Sequence, residues 1–166
     1  MKKILILDRS ILGVWLQVPK MDTCGSDNDK CDFERVDNCI KEEIRASTTL
    51  VLPLATIIET GNHIAHAGTK RRQTAQALAE IMIKAADEKS PWAAFTHQSE
   101  LWESEGLKNL AKSWPDLAVQ KISIGDATIK TVAEYYAKMG FQVEILTGDM
   151  GLKAFEPMTP PRRRRS

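Results

Sequence analysis

The chain has 166 residues, 43% hydrophobic and 27% charged, the balance of a globular domain with a sizeable core. No apolar run approaches the roughly 18 residues a membrane span needs, and the apolar run of MKKILILD is too short for a secretion signal. The expectation is a cytoplasmic protein with no membrane partner. The net charge is +1, but Arg162, Arg163, Arg164 and Arg165 carry four positive charges at the end, so the remaining body is −3. Such a body is not a general binder of polyanions.

Residues 3–7, KILIL, do not alternate and read as a strand buried on both faces, ending at Asp8. Ser10 to Val18 reads as a short helix stopped near Pro19, with Trp15 packing in the core. Residues 20–31 are polar and read as a loop; DNDKCD lacks the spacing of a calcium-binding loop. Asp32 to Ala46 reads as a helix with Val36, Ile40 and Ile44 on one face. Loop and helix together make residues 20–47 an insertion. Cys24, Cys31 and Cys39 match no zinc spacing, and their odd number argues for free thiols.

Thr48 to Pro53 reads as a second strand, and a helix starts at Leu54 or Ala55. Glu59, Asn62, His63 and His66 share one face of that helix. The histidine pair has no third ligand nearby and reads as solvated rather than metal-binding. Lys70, Arg71 and Arg72 open a helix over Thr69 to Glu88. Cations in a first turn oppose the helix dipole, which hints at a phosphate-facing patch against the simpler reading of a solvated loop.

Trp92 to Phe95 suggests a further short strand, and Ser99 to Ser113 a helix ended by Trp114 and Pro115. Residues 118–122 read as a short strand or loop. Gly125, Asp126 and Ala127 open a helix with Ile129, Val132, Ala133 and Tyr136 at helical spacing. Gly140 suits its C-terminus. Phe141 to Leu146 reads as a buried strand that ends at Thr147, Gly148 and Asp149. Residues 1–157 form the expected domain, and residues 158–166 a disordered basic tail.

Apolar strands alternating with helices predict an α/β domain: a central, mainly parallel β-sheet flanked by helices on both faces. Asp8, Glu59, Asp126 and Asp149 follow apolar segments or open a helix beside one, so one sheet edge would gather them. Each also has a plainer reading. Asp126 fits a helix-capping pattern with Ser123, Asp149 fits a turn, and Glu59 fits a solvated face. Taken together, four carboxylates repel and call for a hard divalent cation, Mg²⁺ or Mn²⁺. The chemistry that follows is phosphodiester hydrolysis. One ion activates a water, and a second, roughly 4 Å away, stabilises the leaving oxygen. Thr147 and Asn62 are placed to orient a ligand or water behind those acids.

The order of these pieces, LILD (Asp8), LPLATIIETGN (Glu59), IGDATI (Asp126) and LTGD (Asp149), resembles the PIN domain over about residues 3–155. The resemblance implies a PIN-like fold and a metal-dependent endonuclease preferring single strands, most often a ribonuclease. It implies Asp8, Glu59, Asp126 and Asp149 as catalytic and metal-holding residues. It also implies RNA as substrate, with single-stranded DNA as the alternative, a toxin or phage-defence setting, an antitoxin or other protein regulator, and a homodimer. Lys70, Arg71, Arg72 and Arg162 to Arg165 are the candidate nucleic-acid contacts. A PIN-like module that binds RNA or protein without cutting is the rival. Asp8-Arg9-Ser10 lacks the Asp-x-Asp of haloacid-dehalogenase-type phosphatases, and no phosphate-binding glycine loop is present.

Overall fold

The computed structural model describes residues 2–159. β1 (Lys3–Leu7) leads through Asp8 into α1 (Arg9–Trp15). A short antiparallel hairpin, β2 (Thr23–Cys24) and β3 (Cys31–Asp32), precedes α2 (Phe33–Arg45). There the Asp32 carboxylate accepts from the Arg35 amide and caps the first turn. β4 (Thr49–Val51) passes Pro53 into α3 (Leu54–Ala65), followed by α4 (Arg71–Ala86). A 3-10 helix (Phe95–Trp102), α5 (Ser104–Val119), α6 (Ile124–Lys138), β5 (Gln142–Leu146) and the four-residue α7 (Met150–Lys153) come next.

β1 is the middle strand of a three-stranded parallel sheet ordered β4-β1-β5. Ile4 lies opposite Thr49 on one side and Val143 on the other. The two faces of β1 feed two apolar clusters. Leu5 and Leu7 pack with residues of α1, α2, α3 and α4; Ile4 and Ile6 pack with Ile129, Val132 and Tyr136 of α6. Helices therefore cover both faces, which is why KILIL shows no alternation. The chain leaves β1 for β4 on one side and later returns to β5 on the other. The crevice beyond the carboxyl ends of β1 and β5 is thus the place where the direction of winding reverses, where open α/β sheets bind ligands.

Several local expectations need correcting. α1 ends at Trp15, before Val18, and Gln17 turns with φ +56°. The segment 20–31 is not wholly loop, since it holds the hairpin. The strand expected at 92–95 is a single parallel bridge from Trp92 to Leu50. Ser99 belongs to the 3-10 helix, and α5 runs through Pro115 instead of stopping there. Pro115 and Ala111, whose carbonyl loses its helical partner, are both exposed, so water can meet that carbonyl and the break is not enforced. Residues 118–122 are the end of α5 and a turn, tied back by Trp114 Nε1 donating to the Ile122 carbonyl at 3.1 Å. Gly140 is left-handed, φ +91°, as its place after α6 requires. Arg162 to Arg165 lie outside the described residues.

Candidate active site

Asp8 is the centre of the site. Its amide still belongs to the sheet, donating to the Leu146 carbonyl at 3.1 Å. Its position is the N-cap of α1, yet its side chain makes no cap hydrogen bond. The carboxylate is instead turned across the β1–β5 crevice. Oδ2 accepts from Thr147 Oγ1 at 2.7 Å and from Ser10 Oγ at 3.0 Å. Oδ1 is buried and has no partner among the described residues, although Asp8 as a whole is only 3% exposed. Buried carboxylate oxygens are rarely left so, because the lost hydration is not recovered.

The loop after β5 is built around that carboxylate. The Asp149 amide donates to Thr147 Oγ1 at 2.9 Å, and the Gly148 amide to Ser10 Oγ at 3.0 Å. Each hydroxyl is thereby fixed with its proton aimed at Asp8. Gly148 has no room for a side chain: an added Cβ would lie 2.5 Å from the Gly25 nitrogen and 3.0 Å from Cys24 Cβ. The hairpin of residues 23–32 thus buttresses the loop from outside.

α3 and α6 bring two more acids. Thr56 Oγ1 donates to the Leu7 carbonyl at 2.8 Å and pins the start of α3 to the end of β1. One turn on, Glu59 is half-buried and reaches the first turn of α6, where a Cβ at Gly125 would collide with Glu59 Oε1. Glu59 Oε2 accepts from Arg9 Nε at 2.9 Å, and Arg9 Nη1 lies 3.3 Å from His63 Nε2. Burial raises the Glu59 pKa, and the Asp8 charge adds to it against the pull of Arg9. Asp126 opens α6 through its backbone, donating its amide to Ser123 Oγ at 3.0 Å, which leaves its carboxylate free of capping duty. That carboxyl is pushed up to about 6, first by burial, then by the charges of Asp8, Asp149 and Glu59, with Arg9 opposing. Asp149 caps α7 through Oδ1, which accepts from the Gly151 amide at 2.8 Å.

All four sequence-derived acids therefore share one field at the carboxyl edge of the sheet. They do not yet form a coordination shell. Among the described residues, no three His, Cys, Asp or Glu side chains stand close enough together to grip an ion. The reason is visible in their partners: Glu59 is turned to Arg9, and Asp149 to the α7 amide. The chemistry of the donors nonetheless fits a hard cation. They are all oxygens, the Asp8 oxygen without a partner is the natural first ligand, and two of the acids hold protons more tightly than usual.

Thr147 is placed against Asp8. Asn62 is exposed on α3 and makes no hydrogen bond to any of the four acids; its backbone carbonyl meets His66 Nδ1 at 2.8 Å. Lys70, Arg71 and Arg72 are exposed at the start of α4, where Arg71 Nη1 donates to the Ala67 carbonyl at 2.9 Å. The cation that opposes the field on Asp126 is Arg9. Arg9, Ser10, Gly125 and Gly148 are the site residues that sequence reasoning did not single out in these roles. No family model, no curated protein and no solved structure matches the chain.

Proposed function

We propose that this chain is a divalent-cation-dependent endonuclease that hydrolyses phosphodiester bonds in single-stranded RNA. The observation that carries the reading is the Asp8 carboxylate: buried at the winding-reversal crevice, with one oxygen fixed by Thr147 and Ser10 and the other without a partner. Asp126 feels the charges of Asp8, Asp149 and Glu59, and Glu59 feels that of Asp8. The resemblance of the four acidic motifs to the PIN domain supports the same reading.

Mg²⁺ or Mn²⁺, held by Asp8 with Asp126, Asp149 and Glu59, would supply the charge neutralisation and Lewis acidity that phosphodiester hydrolysis needs. The chain's own residues do the positioning. Thr147 and Ser10 hold Asp8 in one rotamer with its second oxygen presented to the crevice. Asp126 holds its proton up to about pH 6 and above that would be free to share the cation. Glu59 would hold the cation only in place of the Arg9 guanidinium it now pairs with, and Arg9 released from that pair would stand beside the site to meet a phosphate oxygen.

A non-cutting, PIN-like binding module is favoured by one observation: no three of the acids are pre-gathered as ligands. A single assay separates the two. The purified chain is incubated with end-labelled mixed RNA and with single-stranded DNA, in EDTA, Mg²⁺ or Mn²⁺. Cation-dependent RNA fragments that vanish in Asp8→Asn support the nuclease. Retention of RNA without cleavage under every condition supports the binder, and cleavage of DNA alone moves the substrate to single-stranded DNA. An antitoxin-like regulator and a homodimer belong to the same proposal and are tested by co-purification and by mass in solution.

A further inference from the structure

The hairpin that buttresses the acidic loop carries two of the three cysteines, placed opposite each other. Cys24 and Cys31 are register partners across β2 and β3. Antiparallel partners have Cα atoms about 4.5–5.5 Å apart, inside the roughly 4.4–6.8 Å range that a disulfide spans. Burial, with Cys31 and the Asp8 charge adding to it, pushes the Cys24 thiol up to about 11, so in an oxidation it acts second, on a sulfur the register already holds opposite it. Cys24 is 9% exposed and Cys31 half-buried. The connecting turn is anchored rather than free, because Arg35 Nη1 on α2 binds Asp29 Oδ1 at 2.6 Å and the Lys30 carbonyl at 3.1 Å. The residue after Cys24 is Gly25, whose amide nitrogen is the atom against which Gly148 is packed. Gly148 in turn donates to Ser10, and Ser10 to Asp8.

We propose that Cys24 and Cys31 form a reversible disulfide with small-molecule disulfides, and that this bond fastens the hairpin against the Gly148 loop. The more exposed Cys31 attacks first as its thiolate. A new S–S bond forms to one sulfur of the small disulfide, its own S–S bond breaks, and one thiolate leaves. Cys24, as thiolate, then attacks the Cys31 sulfur and expels the second thiolate. Two protein thiols are oxidised, one small disulfide is reduced to two thiols, and the two protons released from the cysteines end on the departing thiolates. In the reduced chain the ladder of the hairpin is two residue pairs, and although Arg35 anchors its turn, so short a ribbon can still part between its strands. The closed bond removes that opening, and the Gly148 amide stays on Ser10 for a larger share of the time.

The test uses the whole chain, folded as judged by circular dichroism, incubated with oxidised or reduced glutathione. Trypsin cuts after Lys20, Lys30 and Arg35, so the bond joins peptide 21–30 to peptide 31–35. The expected result is this linked pair, lost on reduction and absent in Cys31→Ser, with Cys39 still open to alkylation. On oxidation, amide hydrogen exchange across residues 147–149 slows by at least about threefold, and the change is absent in Cys31→Ser. A folded chain in which Cys24 and Cys31 never link, or carry only mixed disulfides, overturns the proposal. A linked pair with unchanged exchange at residues 147–149 overturns it equally. Neither readout uses cleavage, so the outcome is independent of the nuclease reading.

Discussion

Asp126→Asn should stabilise the cation-free protein, and only above a definite pH. The carboxyl is raised from 3.8 to about 6 in the folded chain, so the native state holds this proton more tightly than the unfolded state does. Below pH 3.8 both states are protonated and nothing is lost. As pH rises from there to about 6 the unfolded state ionises while the folded state keeps its proton, and stability falls; above about 6 the full penalty is present. Two units at 1.36 kcal/mol each give ~3 kcal/mol as an upper bound. Partial solvent exposure discounts this, and the lost attraction of an acid for the α6 N-terminus removes a further 0.3–1 kcal/mol, leaving a net gain of about 1–2 kcal/mol. The Ser123 cap uses the backbone amide of residue 126 and survives the substitution. Thermal unfolding in EDTA should put the variant roughly 3–6 °C above wild type at pH 7 and level with it at pH 4. Saturating Mn²⁺ should then narrow the gap at pH 7, because wild type gains more from binding. A gap that is equal at both pH values, or a variant that melts lower at pH 7 in EDTA, would refute the claim that Asp126 sits in the combined field of the other acids.

Four further outcomes bear on the same site. Asp8→Asn and Asp149→Asn should each lower cation-dependent RNA cleavage by roughly 100-fold or more with unfolding midpoints at or above wild type; wild-type rates in Mn²⁺ would dismiss the assignment. Thr147→Val keeps the shape but removes the 2.7 Å bond to Asp8, and should reduce Mn²⁺ affinity or cleavage by roughly 10–100-fold, read by calorimetry and gel. Gly125→Ala should shift stability by less than about 1 kcal/mol, since Ala favours the helix and only the end of Glu59 must move, yet cut cleavage at least about tenfold by displacing that carboxylate; unchanged cleavage would free Glu59 of its role. Arg9→Ala opens an ion pair whose side chains are 46% and 28% exposed, so stability should fall by less than about 1 kcal/mol. Calorimetry at pH 8 should show Mn²⁺ binding tightened by roughly three- to tenfold once the competing guanidinium is gone, and weaker binding would contradict the exchange described for Glu59.

What could be read from the sequence divides along a physical line. Asp8 and Asp149 were legible because their placement is local: KILIL must be a strand buried on both faces, FQVEIL is the edge strand that buries only Val143 and Ile145, and whatever follows either emerges at the sheet's carboxyl edge. Asp126 was legible because Ser123-x-x-Asp126 is itself a helix start, and the structure shows the Ser123 cap. The short hairpin at 23–32 left no trace because its strands span two residues each, too few to show a period. Pro115 misled because its effect depends on whether the orphaned carbonyl reaches water, which is a property of the packed molecule.

Ser10 and Gly151 each lie two positions from the acid they meet, but the other partners of the acids lay beyond any local pattern. Thr147 and Asp8 are 139 positions apart, and Arg9 on α1 meets Glu59 on α3; which hydroxyl or guanidinium meets which carboxylate there is decided by sheet order and helix packing. That choice is what distinguishes the four acids from one another. Asp149 is the one whose side chain closes a helix turn, as a turn residue would, so its part in any cation site must compete with the Gly151 amide. Glu59 must compete with Arg9. Asp8 competes with nothing, since one of its oxygens is already oriented and the other has no partner. A cation should therefore be held first at Asp8, and the remaining acids should be recruited in the order in which they can give up what they hold.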